Sequence, residues 1–387
     1  MRVALVFPPA GDPTRPHLDL PVVQAVLKRT GVAETLLLDA NIRAYWHFAD
    51  PARLELARAR IADRLGALEV KSSLDSAEAG EYFEIGRAAL TAPYVIRHVA
   101  EALAVLRQRD RFADFRQYAW SIRLLERALR LASAPYFPTR FVFDYKMALS
   151  TKSARDVVRA TTDRKNLFLD YFAEAVAPLL LGKRPDLIVL AVALRSQLIP
   201  ALTLARLLKQ RAIGAHITAV GGFVGSYAHA LAGFDGFHDL VDSFLVGPFR
   251  QYEGAFGEAL AVARLASALA AGDALSSVPG ILTRRPASGA ILRTSPAPLA
   301  TRVEEIPTPD FEGLAGERYL APETVWPLAL TKGCYWGKCT FCTRTEPYEE
   351  RSADAIAGDI RALQQRHGAR YFYFPDDGIA PRLLRSV

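Results

Sequence analysis

The chain has 387 residues, 51% of them hydrophobic and 23% charged, a globular balance with length enough for two or three cores. It has no uninterrupted apolar run of 18 or more residues, so no transmembrane helix is expected. The formal net charge is +7, but only 9 of the 48 basic residues are Lys, and the arginines are interleaved with acids without any block of five like charges. A basic nucleic-acid-binding tail is therefore not expected.

The chain opens on an apolar stretch that ends at Pro8-Pro9, too short for a signal-peptide core, and cytoplasmic residence is expected. Residues 2–7 read as a buried strand, 20–29 as a helix closed by Gly31, and 33–38 as a second strand. Strand–helix–strand opens a parallel α/β sheet. From about residue 50 to 181 the strand signal disappears. Segments 51–65, 95–107 and 118–132 carry Ala, Leu and Arg at helical spacing, and the stretch reads as a helical insertion. The α/β pattern returns with a continuous apolar strand at 186–192, a helix at 198–210, a strand at 216–220 closed by Gly221-Gly222, a weaker strand at 243–246 and a helix at 251–271. A hairpin follows at 280–283 and 290–294, then a Pro-rich linker to 323. Residues 326–330 read as a strand, 353–367 as an amphipathic helix ended by Gly368, and 370–374 as another strand. The expected organisation is a Rossmann-like, doubly wound parallel sheet over 1–275 with the insertion at about 50–181, a hairpin and linker at 276–323, and a second α/β unit at 324–387.

The cysteines carry the strongest chemical signal. All three lie in Thr331-Lys-Gly-Cys334-Tyr-Trp-Gly-Lys-Cys339-Thr-Phe-Cys342, a C-x4-C-x2-C spacing. An odd count packed so closely is no disulfide framework and points to metal or catalysis. Thiolates favour iron–sulfur clusters, zinc or copper(I). A structural zinc site is normally closed by four ligands, and the nearest downstream histidine, His367, falls within the expected helix. Three buried or incidental cysteines are the bland alternative.

With its flanks from Pro309 through Trp326, this segment resembles the radical S-adenosylmethionine enzymes, most of all those preceded by a cobalamin-binding domain. The usual spacing in that superfamily is C-x3-C-x2-C, so this loop has one extra residue in its first gap. The resemblance implies that 324–387 is the first β-α-β unit of a partial (β/α)6 barrel. It implies that Cys334, Cys339 and Cys342 hold a [4Fe–4S] cluster whose fourth iron is chelated by S-adenosylmethionine, with Phe341 near the adenine. It also implies a 5′-deoxyadenosyl radical, and a flavodoxin- or ferredoxin-like reductant as partner. Asp376-Asp377-Gly378 would stand at the second barrel strand's end, with an aspartate accepting from the ammonium of S-adenosylmethionine; a polar Asp-Gly turn is the competing reading. The front sheet resembles a cobalamin-binding domain: Gly221-Gly222 matches its glycine pair near the nucleotide tail, and Ser196-Gln197-Leu198 its serine motif. The D-x-H-x-x-G motif that supplies a histidine to cobalt is absent, since neither His17 nor His238 fits it. The resemblance further implies about four more barrel units than the 387 residues hold.

The expected function is a cobalamin-linked radical enzyme, by C-methylation or rearrangement of an unknown substrate. The alternative is a cobalamin- or ligand-binding α/β protein whose cysteine loop is vestigial or holds zinc. An RNA-binding role is a third and weaker reading.

Overall fold

The computed structural model describes residues 1–387 apart from 32–33, 248–253, 286–287, 296–301, 315–317, 343–346 and 387, and apart from the side chains of 254–256. Its centre follows from one sequence property, the runs of branched and apolar residues that bury both faces of a strand. In Arg2–Phe7, Val3, Leu5 and Phe7 face one apolar cluster, while Ala4 and Val6 face the other. In Leu187–Ala191 the residues Leu187, Val189 and Ala191 join the first cluster, and Ile188 and Leu190 the second. Such strands are stable only with helices on both sides.

Five parallel strands form the core of the sheet. Their spatial order is Glu34–Asp39, Arg2–Phe7, Leu187–Ala191, His216–Val220, Ser243–Leu245. Numbered along the chain this is 2-1-3-4-5, so the order reverses between Arg2–Phe7 and Leu187–Ala191. In open α/β sheets that switch point leaves a crevice beyond the strands' carboxyl ends.

The sheet is mixed rather than purely parallel as expected. The hairpin strands Ile281–Arg284 and Ile291–Arg293 add antiparallel to Ser243–Leu245, giving seven strands among the described residues. Thr283 Oγ1 donates to the Asp242 carbonyl at 2.7 Å and helps fix the register. The pairing covers an edge that would otherwise present unpaired backbone groups. The hairpin expected beside the linker is thus part of the main sheet. The preceding helix is described from Gly254–Ala271; its expected start at Gln251, like Ala33 of the second strand, lies outside the described residues.

The insertion is mostly helical: Pro51–Glu69, Ser76–Arg107 and Phe115–Ser133 pack on one another. Each starts at an aspartate whose carboxylate accepts backbone N–H groups: Asp50 from Arg53, Asp75 from Glu78, and Asp114 from Arg116 and Gln117. Ser76–Arg107 is long and apolar enough in composition to cross a membrane. Its residues Val95, Val99, Ala102 and Leu106 are buried in the same apolar cluster as Leu125 and Leu129 of Phe115–Ser133, so one face of the helix packs into the insertion, while Leu90 and Phe83 are exposed. Strand structure does not vanish here as expected. Arg140–Phe141 and Tyr145–Lys146 pair antiparallel around the aromatic side chains of Phe141 and Tyr145, both buried against Phe168.

The final unit has the expected β-α-β form. Val325–Pro327 pairs in parallel with Tyr371–Tyr373, joined by the helix Ala353–His367. Ser352 caps the helix start through the Ala355 N–H, and Gly368, at φ 62°, ends it in the left-handed region that glycine tolerates best. Trp326 stacks on His367 and packs edge-on to Phe311, in the same apolar cluster as Val3 and Leu5 of the main sheet. The linker is fastened to helix Asp19–Arg29: Gln24 Nε2 donates to the carbonyls of Asp310 and Glu312, and Lys28 Nζ reaches both carboxylates.

Candidate functional site

The strand expected at 326–330 divides in two, and the division builds the start of the cysteine loop. After Val325–Pro327 the backbone leaves the parallel ladder, and Thr331–Lys332 pairs antiparallel with Glu349–Glu350. The cause is Asp376. Its carboxylate accepts from Leu330 N at 3.0 Å, Thr331 N at 2.6 Å and Thr331 Oγ1 at 2.7 Å. A carboxylate taking three donors in one place is an anchor. Burial pushes the Asp376 carboxyl above its usual range, and the donors from Thr331 and Leu330 oppose that shift. Asp376 therefore points back at the loop's first residues. Asp377, beside it, is exposed.

Two residues on, Gly378 forms a parallel bridge with Cys334. A Cβ at 378 would sit 2.9 Å from Cys334 Sγ and 3.5 Å from the Tyr335 ring. The glycine makes room for the first cysteine at the end of the neighbouring strand. The Asp376-Asp377-Gly378 run therefore does for the loop what Asp-Gly chemistry does in many turns, but across two strands.

Beyond Cys334 the loop faces solvent. Cys339 and Cys342 are exposed, Cys334 is half-buried, and all three are free thiols. Cys342 N donates to Cys339 O at 3.1 Å, closing a turn that contains Phe341. Phe341 is 88% exposed and packs into no core. Tyr335 and Trp336 are exposed as well, with Lys338 Nζ 5.6 Å from the Trp336 ring. The donor set fits a soft metal or an iron–sulfur cluster: three thiols on one short loop, none tied in a disulfide. The arrangement does not gather them. Among the described residues no three His, Cys, Asp or Glu side chains stand close enough together to hold one metal ion. Gly333 and Gly337, at φ 74° and 57°, give the loop left-handed backbone turns on either side of Cys334.

The second group of expected residues lies at the switch point of the main sheet. Ser196 and Gln197 are in the first turn of helix Arg195–Gln210. Ser196 Oγ donates to the Ala10 carbonyl at 2.8 Å. Gln197 is buried; its Nε2 donates to the Pro8 carbonyl, and its Oε1 accepts from Ala193 N and Leu194 N. These bonds tie the loop after Arg2–Phe7 to the loop after Leu187–Ala191. Beside them opens a cavity of about 780 Å³. Its walls include Gly11, Asp12, Arg195 and Ser196, and a stretch of the helical insertion that brings Tyr145 and Lys152. The insertion's contribution was not expected from sequence; the only signal was the polar, aromatic break at 143–146 between helical segments.

Gly221 and Gly222 lie at the next strand end, where Gly222 begins the helix Gly222–Gly233. Gly221 has φ 130°, and a Cβ there would lie 2.4 Å from the Val192 carbonyl oxygen. The close approach that needs this glycine is to the neighbouring strand's own backbone. His17 stacks on Phe7 at 4.5 Å between centroids, with Nδ1 3.3 Å from Asp19 Oδ2, and His238 is buried with Nε2 3.2 Å from the Leu231 carbonyl. Arg15, on the same loop as His17, lies 4.0 Å over the Tyr373 ring, so this loop spans from the main sheet to the final unit.

No protein-family model matches the chain. An uncharacterized methyltransferase of Pyrococcus horikoshii is 26% identical over 128 residues, 32% of this chain and 27% of the relative. Two solved structures of the radical S-adenosylmethionine methyltransferase TsrM from Kitasatospora setae are similar in layout. One, with tryptophan and a S-adenosylmethionine analogue, has a TM-score of 0.41 at 13% identity; the other, with cobalamin and a [4Fe–4S] cluster, has 0.40 at 14%. Each covers 94% of this chain and 46% of the solved one. The chain thus spans under half the length of the proteins it is compared with.

Proposed function

We propose that this chain carries the cofactor-binding residues of a cobalamin-linked radical S-adenosylmethionine enzyme of the methyltransferase type. The observation that carries the reading is the cysteine loop: the chain's three cysteines, all free, on one solvent-facing loop that starts near a strand end and is held there by Asp376 and Gly378, which follow the parallel strand Tyr371–Tyr373. Functional groups of β/α barrels gather at that end of their strands. Cys334, Cys339 and Cys342 would hold the cluster. When bound and reduced, such a cluster would supply one-electron reduction of S-adenosylmethionine. The role of this chain's own residues is to hold and orient. Asp376 fixes where the loop begins, Gly378 admits Cys334, and Phe341 offers an exposed ring for an adenine to stack upon. Asp377, exposed beside Asp376 at the same strand end, is a candidate acceptor for the ammonium of S-adenosylmethionine.

The switch-point cavity is the proposed cobalamin site, at the position where doubly wound sheets bind ligands. Ser196 lines it, and Gly221-Gly222 stand at the end of the following strand. The Pyrococcus horikoshii relative, a methyltransferase by name, supports the reaction class. A second reading is favoured by the ungathered thiols: a ligand-binding α/β protein whose cysteine loop takes zinc or nothing.

Anaerobic reconstitution with iron and sulfide separates them. The expected result is about four irons per chain, a reduced-cluster paramagnetic signal that changes on adding S-adenosylmethionine, and loss of both in Cys339→Ala. One tightly held zinc, or no metal in the reconstituted chain, would overturn the radical-enzyme reading. Gel filtration after incubation with hydroxocobalamin tests the cavity separately, through the corrin absorbance retained by the protein.

A further inference from the structure

A second cavity, of about 380 Å³, lies within the helical insertion, between helices Ser76–Arg107 and Phe115–Ser133 and the turn that follows them. Four arginines line it, Arg87, Arg127, Arg130 and Arg140, against a single acid, Glu84. Arg130 is held by Glu126 on its own helix, at 2.8 Å. Arg87, Arg127 and Arg140 make no ion pair among the described residues, and neither does Glu84; Arg87 rests only near the Phe83 ring, at 5.5 Å. Cations brought together without counter-charges repel one another, so such a cluster raises the local affinity for anions. A second observation points the same way. Thr139 lines this cavity and is only 3% exposed, yet its hydroxyl has no hydrogen-bond partner among the described residues. A buried hydroxyl without a partner is costly and uncommon unless something absent from the protein satisfies it.

We propose that this cavity is a binding site for a phosphate-class oxyanion. Arg127 and Arg140 present planar N–H forks that match phosphate oxygens, Arg87 adds a third charge, and a turn of the Thr139 side chain supplies an O–H donor from the wall. The volume suits a small phosphorylated metabolite as well as the free anion. The site is separate from both the cysteine loop and the switch-point cavity, and it stands whether or not the cofactor reading does.

Titration calorimetry and thermal melting of the full chain test it, using inorganic phosphate and glycerol phosphate against chloride at matched ionic strength. The expected result is stabilisation by phosphate beyond that by chloride, with affinity falling at least about tenfold in the double variant Arg127→Gln/Arg140→Gln. In Thr139→Val the melting temperature in chloride is maintained, since no protein bond is lost, while phosphate affinity falls by roughly three- to tenfold. Tighter binding of glycerol phosphate identifies an ester-borne group, and equal or weaker binding the free anion; both uphold the site. Stabilisation no greater than that by chloride, or phosphate affinity unchanged in Thr139→Val, overturns it. The Thr139→Val result decides the matter if the double arginine variant does not fold.

Discussion

Gly221 illustrates how one residue type serves two arguments. From sequence, a glycine pair after a strand suggests backbone brought close to a ligand. In the structure the atom brought close is the Val192 carbonyl, 2.4 Å from where a Cβ would stand. Gly221→Ala combines that clash with a φ of 130°, which side-chain-bearing residues rarely adopt. It should cost at least about 3 kcal/mol in a denaturant melt. A normal melt with altered cobalamin retention would instead return the glycine to a purely ligand-binding role. Glu258 is the other residue whose environment is decisive. It is 3% exposed, and burial, reinforced by the nearby charge of Asp19, holds its carboxyl well above the usual range. The folded form therefore binds the proton more tightly than the unfolded chain does. The contribution of this group to stability is complete below its unfolded value near 4.5 and is lost as pH rises through the folded value. Glu258→Gln cannot ionise. It should raise the melting temperature by roughly 3 °C or more at about pH 8 and leave it unchanged at about pH 4. An equal effect at both pH values would contradict the assignment.

At the scale of elements, the cysteine loop depends on a residue 45 positions away from the one it anchors. Asp376→Ala removes the acceptor for two backbone N–H groups and the Thr331 hydroxyl. A loss of about 2–3 kcal/mol is expected. Hydrogen exchange should rise at Leu330 and Thr331 and stay unchanged in the strands of the main sheet. Uniformly raised exchange would mean that Asp376 supports the whole fold instead. How much of this was legible beforehand differs by element. The helix 353–367 and the strand 216–220 carry clear periodicity and stop signals, and they form at those residues. The strand expected at 326–330 is apolar throughout; Pro327, with no N–H to donate, is a local mark against a long strand, but nothing local shows that the chain then turns into a second pairing. The break is made by Asp376, a partner that only the folded chain brings near. The hairpin Arg140–Phe141/Tyr145–Lys146 escaped notice because its strands are two residues each, too short for any period to show.

Across the whole molecule, the final β-α-β unit is joined to the rest by a few specific contacts as well as by apolar packing. Arg351 is the clearest. It is buried, pairs with Asp359 at 2.7 Å inside the unit, and donates to the carbonyls of Ala329 at 3.2 Å and, in the linker, Ile306 at 3.4 Å, so one guanidinium ties the linker to the strand end and to the helix Ala353–His367. Thr308 Oγ1 of the linker also bonds to Asp359. Arg351→Met leaves the Asp359 charge buried and should cost about 3–5 kcal/mol. Limited proteolysis should then cut first within 300–350 while the main sheet resists; simultaneous loss of both regions would show that they unfold as one. The sequence alone determined what depends on neighbours along the chain: the apolar strands, the capped helices, and three thiols on one short loop. Tertiary structure alone decided what depends on residues far apart. It sets the 2-1-3-4-5 strand order with its switch-point cavity, the added antiparallel edge, the anchoring of the cysteine loop by Asp376 and the arginine-lined cavity of the insertion. The physical reason is that periodicity and capping act over a few residues, whereas cavities, buried charges and strand order are set where distant segments meet.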